Sequence, residues 1–252
     1  MKIVCIIPAR YESHRFPAKL MQPLGEKTVI LSTCENMMAT GLFDQVVVAT
    51  DSEIIYNEIF ENGGKVVMTK STHQCGSDRI AEAITGIDTD IVINVQGDEP
   101  FIDSESLKNL IDIFKNDPNK EIALSSLMTR LSENKEILNP NNVKVIVDLN
   151  NFALYFSRSV IPNYRDGEIP NNYYKHIGVY AFRKSALLEF SQQEITPLEA
   201  AEKIECIRFL EYGKKLKMVY TDCINFGIDT PCLLYTSPSP RDATLSRMPS
   251  SA

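Results

Sequence analysis

Four short apolar runs, at residues 3–7, 45–49, 65–68 and 91–95, constrain this chain more than any other feature. They are rich in Val and Ile and lack polar alternation, the pattern of strands buried on both faces of a parallel sheet. Helical patterns separate them. Residues 29–38 carry one, residues 52–62 a second that ends at Gly63 and Gly64, and residues 77–84 a third that opens with a capping residue. Alternation at βαβ spacing with right-handed crossovers predicts an α/β fold built on a doubly wound, mostly parallel sheet. A further helix is expected at 103–114. Beyond it the pattern changes, because 143–147, 152–156 and 176–182 are strand-like with no clear helix between them. A smaller, more antiparallel inserted strand region within 143–182 is therefore expected, suited to a second substrate or a dimer contact. Residues 197–212 read as one helix with Pro at its start and Gly213 after its end. Glu199, Glu202 and Glu205 recur along it at spacings of three, which reads as a solvated acidic face.

Composition narrows the function. The 252 residues suit one or two lobes, and 26 Lys plus Arg stand against 33 Asp plus Glu, a net charge of -7. That balance argues against sequence-independent binding to nucleic acid, so any anion site is local. No apolar run reaches the ~18 residues of a membrane span, and the N-terminal residues lack a secretory pattern, so no membrane insertion and a cytoplasmic location are expected. Six cysteines form no C-x-x-C and no cluster with His14, His73 or His176, which argues for reduced thiols and against structural zinc. From Cys232 the text reads CLLYTSPSPRDATLSRMPSSA, rich in Ser and Pro and without period. It resembles the in-frame translation of a sequencing adapter, so 232–252 is expected to be a disordered, non-native tail and 1–231 a single domain whose last helix is missing.

In an open parallel sheet, ligands sit beyond the carboxyl ends of the strands. The loop after the first strand, 7–20, reads IPARYESHRFPAKL and gathers Arg10, Arg15 and Lys19 with Ser13 in an otherwise acidic chain. Guanidinium forks and a compact ammonium suit a polyphosphate, although spacing alone fits three solvated cations equally well. No Walker motif and no G-x-G-x-x-G occurs, which removes the main support for kinase, ATPase and nicotinamide-dehydrogenase readings. The fourth run leads into Gln96-Gly97-Asp98-Glu99-Pro100, where Asp98 suits a hard cation and Glu99 suits the turn. A basic loop and a metal carboxylate together supply the parts of nucleotidyl transfer.

These segments carry a resemblance. IIPARYESHRFPAKL, HQCGSDRIAEA, INVQGDEP, NPNNVKVIVD, ALYFSRSVIP, HIGVYAF, PLEAAEKIECIRFLEYG and GIDTP occur in order across residues 3–231. Together they resemble the 3-deoxy-manno-octulosonate cytidylyltransferases, or CMP-Kdo synthetases. The resemblance implies a nucleotide-diphospho-sugar transferase-like fold and transfer of CMP from CTP to Kdo, with release of pyrophosphate, for lipopolysaccharide synthesis. It implies that Arg10, Arg15 and Lys19 hold and stabilise the triphosphate, with Ala9 and Ser13 nearby. Ser77 and Arg79 would lie on the cytidine side, and Gln96, Arg158, His176, Tyr180 and Glu205 in the sugar pocket. Asp98 and Asp229 would bind Mg2+. A homodimer built through the inserted strands is implied as well. The alternatives are a related acceptor (8-amino-Kdo or sialic acid) and a noncatalytic nucleotide-sensing module of the same fold.

Overall fold

The computed structural model describes residues 1–12, 17–73, 75–165 and 173–222. In chain order these form β1 (Ile3–Ala9), a 3-10 turn (Lys19–Met21), β2 (Pro23–Leu24), β3 (Lys27–Thr28), α1 (Val29–Ala39), β4 (Gln45–Thr50), α2 (Glu53–Glu61), β5 (Lys65–Met68), α3 (Gly76–Ala83) and β6 (Ile91–Asn94). There follow α4 (Ser104–Lys115), β7 (Ile122–Leu131), α5 (Asn134–Leu138), β8 (Lys144–Val147), β9 (Ala153–Ser157), β10 (Tyr173–Arg183), α6 (Lys184–Phe190), α7 (Pro197–Glu202), α8 (Cys206–Glu211) and β11 (Lys215–Tyr220).

The main sheet runs β11-β7-β10-β6-β1-β4-β5. The pairs β1/β4, β1/β6, β4/β5 and β7/β11 are parallel, while β10 is antiparallel to both β6 and β7. The inserted strands β8 and β9 pair antiparallel with each other, and β8 joins β10. Every residue of β1 and β6 is buried, including the polar Asn94 at the end of β6, as expected of strands covered on both faces. Alternate residues divide two cores: Ile3, Cys5 and Ile7 face α1, α2 and α4, whereas Val4 and Ile6 face α3, α6 and α8. The run at 65–68 differs from expectation. As β5 it pairs only with β4, at the sheet edge, and so remains partly exposed.

The expected helix at 197–212 is two. Glu199 accepts from the Thr196 N–H at 3.4 Å, one half of a capping box, but Lys203 takes a left-handed conformation (φ 57°, ψ 46°) that ends α7, and α8 restarts at Cys206. The break turns the three glutamates in different directions. Glu199 makes a buried bidentate pair with Arg208, both contacts at 2.6 Å, and that guanidinium lies over the Phe190 ring. Glu202 accepts from Ser157 Oγ at 2.5 Å and from the Arg158 main chain at 2.9 Å. Glu205 accepts from Ser77. The expected solvated acidic face is thus a set of three inter-element ties. Cys5, Cys34 and Cys206 are buried free thiols, and Cys75 is a half-buried one.

Candidate functional site

The site forms where β1, β6 and the start of α3 meet. β1 delivers Ala9, buried in the core, and then Arg10, whose Nη2 donates to the His73 carbonyl at 2.7 Å. Ala18 is left-handed (φ 50°) and turns the chain into the 3-10 turn that carries Lys19. Lys19 Nζ forms an ion pair with Asp98 Oδ2, and the two side chains are only 15% and 19% exposed. A cation from the basic loop and the carboxylate after β6 are thereby brought together.

The Asp98 turn is held from behind by α1. Thr33 Oγ1 donates to the Gly97 carbonyl at 2.9 Å, and Asn36 Nδ2 donates to the carbonyls of Pro100 and Ile102, each at 3.1 Å. A side chain at Gly97 would press to 3.1 Å on both Ile30 and Leu20, so glycine lets the turn seat against α1 and the 3-10 turn. Gln96 donates to Asn94 Oδ1 at 3.3 Å, and Gly76 abuts Pro8 and the Gln96 amide. Thr33 and Asn36 were not recognised in the sequence, since their partners lie more than sixty positions away.

Ser77 is inside α3 rather than at its cap. Its Oγ donates to Glu205 Oε2 at 2.7 Å, which connects a residue expected on the cytidine side with one expected in the sugar pocket. Arg79, expected on the cytidine side, is held inside the fold. It is fully buried, and its guanidinium donates to Thr69 Oγ1 at 2.5 Å and Asp51 Oδ2 at 2.8 Å, tying α3 to the ends of β4 and β5. A ligand cannot reach it without displacing those contacts.

His176 lies on β10, packed edge-on to Phe156 and tilted against Tyr180. Burial pushes its imidazole down to about 3, so the ring is neutral at ordinary pH. Its Nε2 is 2.9 Å from Ser126 Oγ, which is also within 3.0 Å of the Ile177 carbonyl and 2.9 Å of the Val179 carbonyl. Carbonyls only accept, so they take the hydroxyl proton. Nε2 must then carry hydrogen and donate to Ser126, which leaves Nδ1 as an acceptor. Burial raises Tyr180, and Cys206 and Glu205 raise it further, so its phenol stays protonated. Arg158 follows β9 and donates from Nε to the Glu202 carbonyl at 2.9 Å and from Nη1 to the Pro140 carbonyl at 3.2 Å. Beneath it, fully buried Lys144 donates to the carbonyls of Asn139, Asn142 and Arg158.

Ser13, Arg15 and Asp229 lie outside the described residues, as does 232–252. Among the described residues no group of three or more His, Cys, Asp or Glu gathers as a metal cage. One hard carboxylate at a strand end still fits magnesium, which uses few protein oxygens and completes its shell with water and phosphate. A groove of about 1210 Å³ runs between α3, α6 and α7. It is lined by His73, Asp78, Glu82, Lys203, Glu205 and Arg208 among others, and reaches neither Lys19 nor Asp98. The chemistry is better located by the charged groups at the strand ends than by this groove.

With this geometry in hand, comparison with known proteins is decisive. Residues 4–216 match the sequence profile of the family described as Cytidylyltransferase, and the chain belongs to that family. Two relatives called 3-deoxy-manno-octulosonate cytidylyltransferase, from Flavobacterium johnsoniae and Christiangramia forsetii, are each 57% identical over 230 residues. These alignments cover 91% of this chain and 94% and 93% of the relatives. A solved structure of CMP:2-keto-3-deoxy-manno-octonic acid synthetase complexed with CTP superposes with a TM-score of 0.88 at 34% identity. That match covers 98% of this chain and 99% of the other.

Proposed function

We propose that this chain transfers CMP from CTP to the anomeric hydroxyl of Kdo, releasing pyrophosphate and forming CMP-Kdo. The observation that carries the reading is the Lys19–Asp98 pair at the carboxyl ends of β1 and β6, in a chain so similar to CMP-Kdo synthetases. Without substrate the two charges satisfy each other. With CTP, Lys19 and Arg10 neutralise triphosphate oxygens, helped by Arg15, while Ala9 and Ser13 offer main-chain and hydroxyl contacts. Asp98 and Asp229 would hold Mg2+, which when bound shields phosphate charge and polarises the attacked phosphorus.

The sugar hydroxyl attacks the α-phosphorus in line, so alignment and charge stabilisation carry the catalysis and no covalent intermediate is needed. Gln96, Arg158, His176, Tyr180 and Glu205 form the acceptor pocket, and Ser77 joins it to the nucleotide side. A neutral imidazole with its ionisation near 3 is a poor base at neutral pH, so His176 orients the acceptor by hydrogen bonding. Arg79, already committed to Asp51 and Thr69, acts by bracing α3.

The working form is a cytoplasmic homodimer paired through the inserted strands of 143–182. Exposed Leu149 and Leu154 on the β8–β9 hairpin support this contact, and sedimentation of the wild type and a Leu154→Glu variant tests it. No helix among the described residues is long and apolar enough to cross a membrane. Residues 1–231 act as one domain, and 232–252 as an extension without a part in the chemistry. Pyrophosphate release from CTP with Kdo, 8-amino-Kdo or sialic acid tests the function. Preference for Kdo is expected, and turnover with sialic acid alone would overturn it.

A further inference from the structure

His73 and Glu82 received no role in the sequence reading, yet they meet directly beside Arg10. The Glu82 carboxylate, on α3, pairs with His73 Nε2 and also accepts from the Lys70 main-chain N–H at 3.0 Å. These two contacts fasten the segment between Lys70 and His73, which follows β5, to α3. The His73 carbonyl at the end of that segment is the acceptor for Arg10 Nη2 at 2.7 Å. Three elements are thus linked in series: α3 holds the segment, the segment presents a carbonyl, and the carbonyl holds the guanidinium. Glu82 is kept below the usual carboxylate range chiefly by the His73 ring bond, against a burial effect in the opposite direction, with the Lys70 N–H adding to the lowering. The carboxylate therefore stays charged throughout the neutral range.

We infer that Glu82 and His73 are positioning residues for CTP binding, which act by fixing the His73 carbonyl so that it holds Arg10 in one orientation. The inference rests on the phosphate-binding role proposed for Arg10. An exposed arginine samples many rotamers, and ordering it on binding costs affinity. One N–H spent on the His73 carbonyl restrains the side chain and leaves other donors of the fork for phosphate oxygens. The Glu82–His73 pair itself is partly exposed, with side chains 33% and 16% accessible, so it adds little to global stability. Its main effect is local order.

A double-mutant cycle read by calorimetric titration of CTP in magnesium buffer tests this, using wild type, Glu82→Gln, Arg10→Ala and the double variant, with melting curves alongside. Glu82→Gln is expected to weaken CTP binding about tenfold, or about 1.4 kcal/mol. The same change in the Arg10→Ala background is expected to weaken it by less than about twofold, because the group being positioned is gone. A role confined to folding would lower the melting temperature and leave the penalty unchanged in both backgrounds. His73→Gln, which keeps the carbonyl but alters the ring contact, carries the same cycle if Glu82→Gln does not fold. Equal CTP affinity of wild type and variant, or a penalty that persists without Arg10, would overturn this inference alone. A wild-type chain that binds no CTP would overturn the proposed function and this inference with it.

Discussion

Ser77 Oγ donates to Glu205 Oε2 across 2.7 Å, and this bond joins the first turn of α3 to the start of α8. Ser77 is buried while Glu205 is partly open, so water can replace only part of the lost contact. Ser77→Ala is expected to cost about 1 kcal/mol of stability. It should also raise the KM for Kdo several-fold, because Glu205 is freed to turn. Steady-state kinetics with each substrate varied in turn checks this, and an unchanged Kdo KM would count against the coupling.

The Asp98 turn depends on α1 through Asn36, whose amide satisfies two carbonyls. Asn36→Leu removes both donors and leaves Asp98, the carboxylate proposed to hold magnesium, loosely held. The magnesium concentration for half-maximal rate is expected to rise about tenfold, with a loss of roughly 2 kcal/mol for the two unpaired carbonyls. Magnesium titration against initial rate, compared with Thr33→Val, measures it.

His176 makes a pH prediction. Its folded value of about 3 lies below the ordinary 6.5, so the unfolded chain binds more protons in between. Its stabilising contribution is full above pH 6.5 and is lost as pH falls toward 3, with a slope of up to about 1.4 kcal/mol per pH unit. Melting temperature between pH 5 and 7.5 should fall less steeply on the acid side in His176→Gln than in wild type. Parallel curves would show that the ring is not buried neutral.

Lys144 holds three carbonyls from inside the protein, at 2.6 to 3.1 Å, and forms no ion pair among the described residues. Burial first, and Arg158 second, push its ammonium below the usual lysine range. Lys144→Met fits the space but leaves the carbonyls without a donor. A loss of about 3 kcal/mol is expected, roughly 6–12 °C in melting temperature. A raised KM for Kdo should accompany it, as the Arg158 loop slackens.

The parallel half of the sheet was legible because β1, β4 and β6 each carry a run of three or more consecutive apolar residues rich in Val and Ile. The strand β7 was not recognised, because Ser125, Ser126 and Thr129 break its apolar text. Ser125 and Ser126 are nonetheless fully buried, their hydroxyls spent on the carbonyls of Leu110, Ile177 and Val179. The break at Lys203 was hidden because lysine is an unusual residue for a left-handed cap. At the site, Lys19 and Asp98 could be read from charge and strand ends. The burial of Arg79 could not, since Asp51 and Thr69 reach it only through the fold.

The central claim is that Lys19 and Asp98 serve cytidylyl transfer to Kdo. Its most direct test is the initial rate of pyrophosphate release from CTP and Kdo, with magnesium, by wild type, Lys19→Ala and Asp98→Asn of unchanged melting temperature. Kdo-dependent release by wild type, with a fall of ~10² to 10³ in each variant, is the predicted result. No Kdo-dependent release by wild type, or full turnover in both variants, would contradict it.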